Sequence, residues 1–167
     1  AVLVRRNGSA IDYDVASSWL EADYYKMSRE SNYKNVAKRI IVEPLIFGEE
    51  GPADYKFFCY NGKVRITQVI ESRFNVVETV LMTREWEALP YVLSLPPSQI
   101  IPDKPDTYDE MIQVAETLAA DFDFVRVDLY TDGKSILLGE LTNVPVGAMH
   151  PVRPADREKE MYAAIFS

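Results

Sequence analysis

Phe124-Val-Arg-Val-Asp128, followed beyond a turn at Thr131-Asp-Gly-Lys134 by Gly139-Glu-Leu-Thr-Asn-Val-Pro145, is the stretch from which the fold of this chain is read. The two runs predict antiparallel strands joined by a tight turn. Side chains along a strand alternate between its faces, so Arg126 and Asp128 share a face. The hairpin can bring Glu140 alongside them. Two carboxylates and a guanidinium on one surface suit Mg²⁺ carrying a phosphate. Mg²⁺ takes carboxylate and phosphate oxygens, and arginine grips phosphate through two parallel hydrogen bonds. The plainer alternative is a surface hairpin with an incidental ion pair, which contributes little.

Working outward, Asn61-Gly62 separates Tyr55–Tyr60 from Val64–Glu71 and predicts a second hairpin. Phe74–Met82 reads as a further strand. Leu89–Pro105 holds five of the ten prolines and reads as an extended connector. Asp106–Asp121 has helical periodicity, with Asp106 as candidate cap and Met111, Ile112, Ala115 and Leu118 inward. Pro154–Phe166 closes the chain as a helix. Upstream, Val2–Arg5 reads as a short strand and Asn7-Gly8 as a turn. Asp12 or Asp14 caps a helix running to about Lys26, with Val15, Ala16, Trp19, Leu20 and Tyr24 as its apolar stripe. Met27–Lys38 is polar and turn-like. Arg39–Phe47 reads as an apolar strand broken by Glu43, and Gly48–Pro52 as a loop. The pattern is α+β: an antiparallel sheet with packed helices, in one domain spanning 1–167.

Composition bounds the function. The net charge of −8 and pI near 4.7 argue against a nucleic-acid partner or an anionic membrane surface. Apolar residues at 47% and charged residues at 26% suit a globular protein. No apolar run approaches the roughly 18 residues of a membrane span. The single cysteine, Cys59, has no disulfide partner in the chain, which points to a reducing, cytoplasmic compartment. Its apolar run, Phe57-Phe-Cys-Tyr60, marks it as a structural thiol. A single histidine, His150, argues against a histidine-based triad or a zinc site.

Asp54-Tyr-Lys-Phe-Phe-Cys-Tyr-Asn-Gly-Lys63, the helix Asp109–Leu118, Phe124–Asp128 and Gly139-Glu-Leu-Thr142 together resemble the teichuronopeptide-biosynthesis (TupA-like) branch of the ATP-grasp superfamily. The likeness extends upstream through Tyr33-Lys-Asn35 and Arg39-Ile-Ile-Val-Glu43 and covers roughly Ala10 to Pro145. It implies an ATP-grasp-like sheet and an ATP-dependent carboxylate–amine ligase of cell-surface polysaccharide synthesis, with ATP and Mg²⁺ as cofactors. The partners implied are a nucleotide, a small-molecule or polysaccharide carboxylate, and an amine.

The resemblance also implies site residues. Asp128 and Glu140 match the family's two acidic metal ligands. The third, usually an asparagine two residues after the glutamate, falls on Thr142, with Asn143 one step on. Arg126 matches the arginine two residues before the first of these ligands, and Lys56 a basic residue directed at the phosphates or the acyl phosphate; both are candidate catalytic residues. For Lys56, a solvent-facing lysine on an edge strand is the alternative. Glu43 matches the hinge glutamate, Ile46 offers its backbone N–H to the adenine edge, and Glu50 binds the ribose hydroxyls, although Glu49 beside it serves equally. A strand-end glutamate in water is the alternative for Glu43. Arg73 is a candidate for a substrate carboxylate.

One departure stands out. The family's earlier lobe carries a lysine on a strand and a glycine-rich loop over the phosphates, and Ala1–Arg6 shows neither. Arg5 and Arg6 are no obvious substitute. The expectation is the C-terminal nucleotide- and metal-binding part of a larger enzyme. A short form retaining the fold as a non-catalytic nucleotide- or glycan-binding module is the alternative, and an unrelated α+β interaction domain is a third.

Overall fold

The computed structural model describes residues 12–28, 30–44, 46, 53–73, 76–145 and 151–167, without the side chains of Ser28, Asn32, Ser72, Arg73 and Val76. The expected strand Val2–Arg5, the Asn7-Gly8 turn, the Gly48–Pro52 loop with Glu50, and His150 lie outside these residues. The chain divides into two compact units, Ala1–Ile46 and Phe47–Ser167.

In the first unit, α1 (Tyr13–Glu21) starts at Asp12, whose Oδ1 accepts from the N–H groups of Asp14 and Val15, both at 3.1 Å. Asp12 is therefore the cap of the two candidates. The single helix expected through Lys26 is instead broken at Ala22, and α2 (Tyr24–Ser28) follows. Asp23 causes the restart: its Oδ1 accepts from the Lys26 N–H at 3.1 Å, a bond that competes with helix continuation. A 3₁₀ turn at Ser31–Tyr33 brings Tyr33 edge-on to Tyr24, centroids 4.8 Å apart. The expected strand over Arg39–Phe47 does not form among its described residues, 39–44 and 46. Ile41 and Val42 are 79% and 84% exposed there. β-Branched residues favour a strand only where neighbours pack on them, and Pro44 has no N–H to give a ladder.

The second unit is α+β, as expected. Its elements are β1 (Asp54–Tyr60), β2 (Lys63–Arg73), β3 (Val76–Thr83), β4 (Val92–Leu93), α3 (Tyr108–Ala119), β5 (Phe124–Thr131), β6 (Ile136–Thr142), β7 (Val152–Arg153) and α4 (Glu158–Phe166). Five strands form an antiparallel sheet in the order β3-β2-β1-β5-β6, and β4 pairs with β7. Asn61 (φ 49°) and Gly62 (φ 71°) supply the two left-handed residues that a two-residue hairpin between β1 and β2 needs. The proline-rich connector forms no helix; it carries β4, bends at Ser94 (φ 58°) and bridges to β3 at Thr79–Pro97. Helix α3 begins after Thr107 and not at Asp106. Thr107 makes no side-chain bond to the helix N–H groups; its hydroxyl meets that of Thr131 on β5 at 3.1 Å, tying helix to sheet.

The period-2 alternation gives the sheet two different faces. One presents Phe57, Cys59, Val69, Met82, Val127 and Leu129 to Tyr108, Met111, Ile112, Ala115 and Ala119 of α3. On the other, Phe58, Ile66 and Leu81 pack with Tyr91, Leu93, Val152 and Ile165 of α4. Each large side chain so buried contributes roughly 1.5–3 kcal/mol. Beside the α4 cluster, this second face turns polar.

Candidate functional site

The polar patch follows from strand register. Lys56 on β1 is the cross-strand partner of Asp128 on β5, and Asp128 is the partner of Glu140 on β6. Arg126 pairs with Thr142 one step along. The expectation that Arg126, Asp128 and Glu140 share one face is therefore met. A bulge follows at Asp128/Leu129, where Gly139 is the extra residue: an added Cβ there would stand 2.5 Å from Cε2 of Tyr130.

Asp128 is 2% exposed and is surrounded by cations. Arg126 donates to it in a fork, Nε to Oδ1 at 2.7 Å and Nη2 to Oδ2 at 2.8 Å. Lys56 Nζ lies 2.6 Å from the same Oδ2. Nη2 of Arg126 also donates to Thr142 Oγ1 at 3.1 Å and lies 3.5 Å from Oε2 of Glu140, whose side chain is half exposed. Asp54, two residues before Lys56, completes the cluster: its Oδ2 is 2.6 Å from Lys56 Nζ, and its Oδ1 is buried without a hydrogen-bond partner.

The electrostatics follow from these contacts. Burial works against the Lys56 ammonium, but the facing carboxylates of Asp54 and Asp128 outweigh it and hold its pKa above the ordinary value. Burial raises the Asp54 carboxyl against the pull of Lys56. Tyr130, the register partner of Asp54, is likewise raised by burial and then by the Asp54 charge. Cys59 lies on the opposite face, its thiol pushed up to about 12 by burial, which suits the structural role expected of it.

Of the residues singled out from sequence, Lys56, Arg126, Asp128, Glu140 and Thr142 come together. Asn143 is exposed just past the end of β6. Glu43 is exposed and Ile46 half-buried, both in the first unit. Glu50 and the side chain of Arg73 lie outside what is described. Asp54 was not singled out. The signal was there: Asp54-Tyr-Lys56 has the same i, i+2 spacing that placed Arg126 with Asp128.

The donors expected to hold Mg²⁺ are of the right chemistry, hard carboxylate and hydroxyl oxygens. Their arrangement is that of a salt-bridge network. Both oxygens of Asp128 are engaged by Arg126 and Lys56, and Thr142 accepts from Arg126. Among the described residues no group of three or more His, Cys, Asp or Glu side chains is disposed to hold a metal ion. The arrangement as it stands does not fit a bound divalent ion. The apolar cavity of about 460 Å³ between Thr79, Leu89, Tyr91, Ile101 and Arg153 contains none of the cluster.

A family model described as TupA-like ATP-grasp matches residues 3–165, nearly the whole chain. The chain belongs to the TupA-like ATP-grasp family, a membership that supports nucleotide binding. Neither the curated proteins nor the solved structures provided a match. No helix among the described residues is long and apolar enough to cross a membrane.

Proposed function

We propose that this chain is the nucleotide- and metal-binding part of an ATP-dependent carboxylate–amine ligase, acting in the cytoplasm, where ATP is supplied, on precursors of cell-surface polysaccharide. The observation that carries this reading is the Lys56–Asp128–Glu140 row across three neighbouring strands, with Arg126 clamped to Asp128. Family membership supports it. The chain acts in this reading as one ATP-grasp-like domain, with ATP and Mg²⁺ as cofactors.

The chemistry needs no covalent nucleophile from the protein. A substrate carboxylate oxygen attacks the γ-phosphorus of ATP, the bond to the β-phosphate oxygen breaks, and an acyl phosphate and ADP result. The nitrogen of an amine then adds to the acyl carbon, and the tetrahedral adduct expels phosphate and sheds a proton to leave the amide. Both steps concentrate negative charge on phosphate or oxyanion, and fixed cations that offset it lower the barrier. Lys56 is the cation we assign to that role. Arg126 acts chiefly on Asp128, holding the carboxylate in one orientation. Asp128 and Glu140, with Thr142 or Asn143, are the side chains that would hold Mg²⁺ once the cation contacts on Asp128 give way, and the ion would there offset charge on the phosphates. Glu43, Ile46 and Glu50 are assigned to adenine and ribose, and Arg73 to a substrate carboxylate, on the family resemblance alone.

A second reading, a nucleotide- or glycan-binding module without chemistry, is favoured by one observation. The Arg126 fork and the Lys56 ammonium are already compensated by protein carboxylates.

Calorimetric titration of Mg²⁺–ATP and Mg²⁺–ADP into the wild type, Asp128→Asn and Glu140→Gln tests both. The ligase reading expects Mg²⁺-dependent binding that weakens at least tenfold in each variant, and ADP release with a carboxylate and an amine present. Binding without turnover over a panel of carboxylates and amines favours the module. No nucleotide binding by folded wild-type chain overturns the ligase assignment for this chain.

A further inference from the structure

We propose that Lys56 is a built-in counter-ion that closes the acidic site to a free divalent ion, so that metal enters only in company with a polyphosphate able to draw the ammonium away. The second half of this statement rests on the nucleotide reading above; the first half stands on geometry. A single ammonium bridges Asp54 and Asp128, 2.6 Å from an oxygen of each. Mg²⁺ binds carboxylate oxygens at about 2.0–2.1 Å, a similar reach, so that one position between the two carboxylates cannot hold both cations. The ammonium is held there by more than chance. The Lys56 side chain is 14% exposed and the Asp128 side chain 3%, so its contact with Asp128 is little diluted by water.

Two further observations point the same way. The remaining oxygen of Asp54, Oδ1, is buried and has no hydrogen-bond partner, leaving an acceptor that Lys56 does not satisfy. And although Asp54, Asp128 and Glu140 all stand on the same sheet face, no group of three acidic side chains is disposed for a metal among the described residues. What the face does hold is a pair of carboxylates, Asp54 and Asp128, bridged by one ammonium. A polyphosphate offers Lys56 several competing oxygens and a larger negative charge. Release of the ammonium then frees Asp54 and removes one of the two contacts on Oδ2 of Asp128, which keeps its Arg126 fork, beside the half-exposed Glu140.

The test uses Mn²⁺ alone as probe, followed by electron paramagnetic resonance, on the whole chain without nucleotide. Wild type is expected to bind no tighter than on the order of 1 mM, the weak end of protein divalent-cation sites. Lys56→Met should bind Mn²⁺ at least tenfold tighter, and Lys56→Met/Asp54→Asn should fall back to the wild-type level. Circular dichroism verifies folding, and Lys56→Gln, which keeps a hydrogen-bond donor between the carboxylates, serves in place of a Met variant that does not fold. Wild-type binding as tight as the lysine variant, or no gain in a folded lysine variant, overturns the proposal. Adding ATP to the same samples separates the two readings. Nucleotide-dependent Mn²⁺ uptake by wild type supports both. A gain in Lys56→Met with no nucleotide effect in any chain upholds the exclusion by Lys56 and overturns the nucleotide-driven release.

Discussion

Lys56 and Asp128 stand opposite one another on β1 and β5 and meet at 2.6 Å, while Arg126 grips the same carboxylate from its own strand. Asp128 thus has two cations, and each cation depends on it to a different degree. Asp128→Ala leaves Arg126 and Lys56 facing each other in a poorly hydrated place, and such a loss costs about 3–5 kcal/mol. Lys56→Met leaves Asp128 compensated by Arg126 and should cost less. Urea denaturation of both variants and of the double variant checks the order. The double variant should cost less than the sum, because the two residues share one interaction.

Gly139 is required by space and not by backbone angle. An added Cβ would meet the Tyr130 ring at 2.5 Å and the Asp128 carbonyl oxygen at 3.3 Å. Gly139→Ala should therefore cost about 1–3 kcal/mol, the usual range for overpacking. Pairing it with Tyr130→Ala removes the ring and should recover part of that loss. Thermal unfolding of the three chains decides it. Equal costs with and without the ring would place the constraint on the backbone carbonyl instead.

Glu116 on α3 ties the β1–β2 hairpin to the helix. It accepts from Lys63 Nζ at 2.9 Å, Arg84 Nη2 at 3.1 Å and the Val64 N–H at 3.3 Å. Partial burial opposes its charge, but Lys63, Arg84 and the Val64 N–H win, so its carboxyl sits below the ordinary 4.5. A depressed carboxyl stabilises the fold above its unfolded value and loses that contribution as pH falls through the folded one. Wild type should exceed Glu116→Gln by about 1 kcal/mol at pH 7, a modest figure because both cations are largely in water. That corresponds to about 2–4 °C in Tm. The gap should close as pH falls below 4.5. A gap independent of pH would assign the effect to packing.

Much of the second unit was legible because its signals are local. Asn61-Gly62 specifies a two-residue hairpin through backbone angles alone, and the apolar stripe of α3 repeats with the helical period. The Arg126–Asp128–Glu140 face follows from alternation along a strand plus one turn. The misreadings also have physical causes. Asp23 interrupts a helix whose apolar stripe runs on past it, because a side-chain bond to Lys26 N–H competes locally with the helix. Ile40, Ile41 and Val42 have the composition of a strand, but composition supplies no partner for a ladder.

From sequence alone came the family, the α+β class and the residue types on the site face, since each depends on order, spacing and the period of two. The identity of the neighbours was decided only in the tertiary structure. Register across β1, β5 and β6 set Lys56 against Asp128 and Glu140 beside it, and brought Asp54 to the same ammonium. It set Asp128, one of the two expected metal ligands, against two cations. Register between strands distant along the chain depends on the packing of both sheet faces at once, and no local run of residues encodes that.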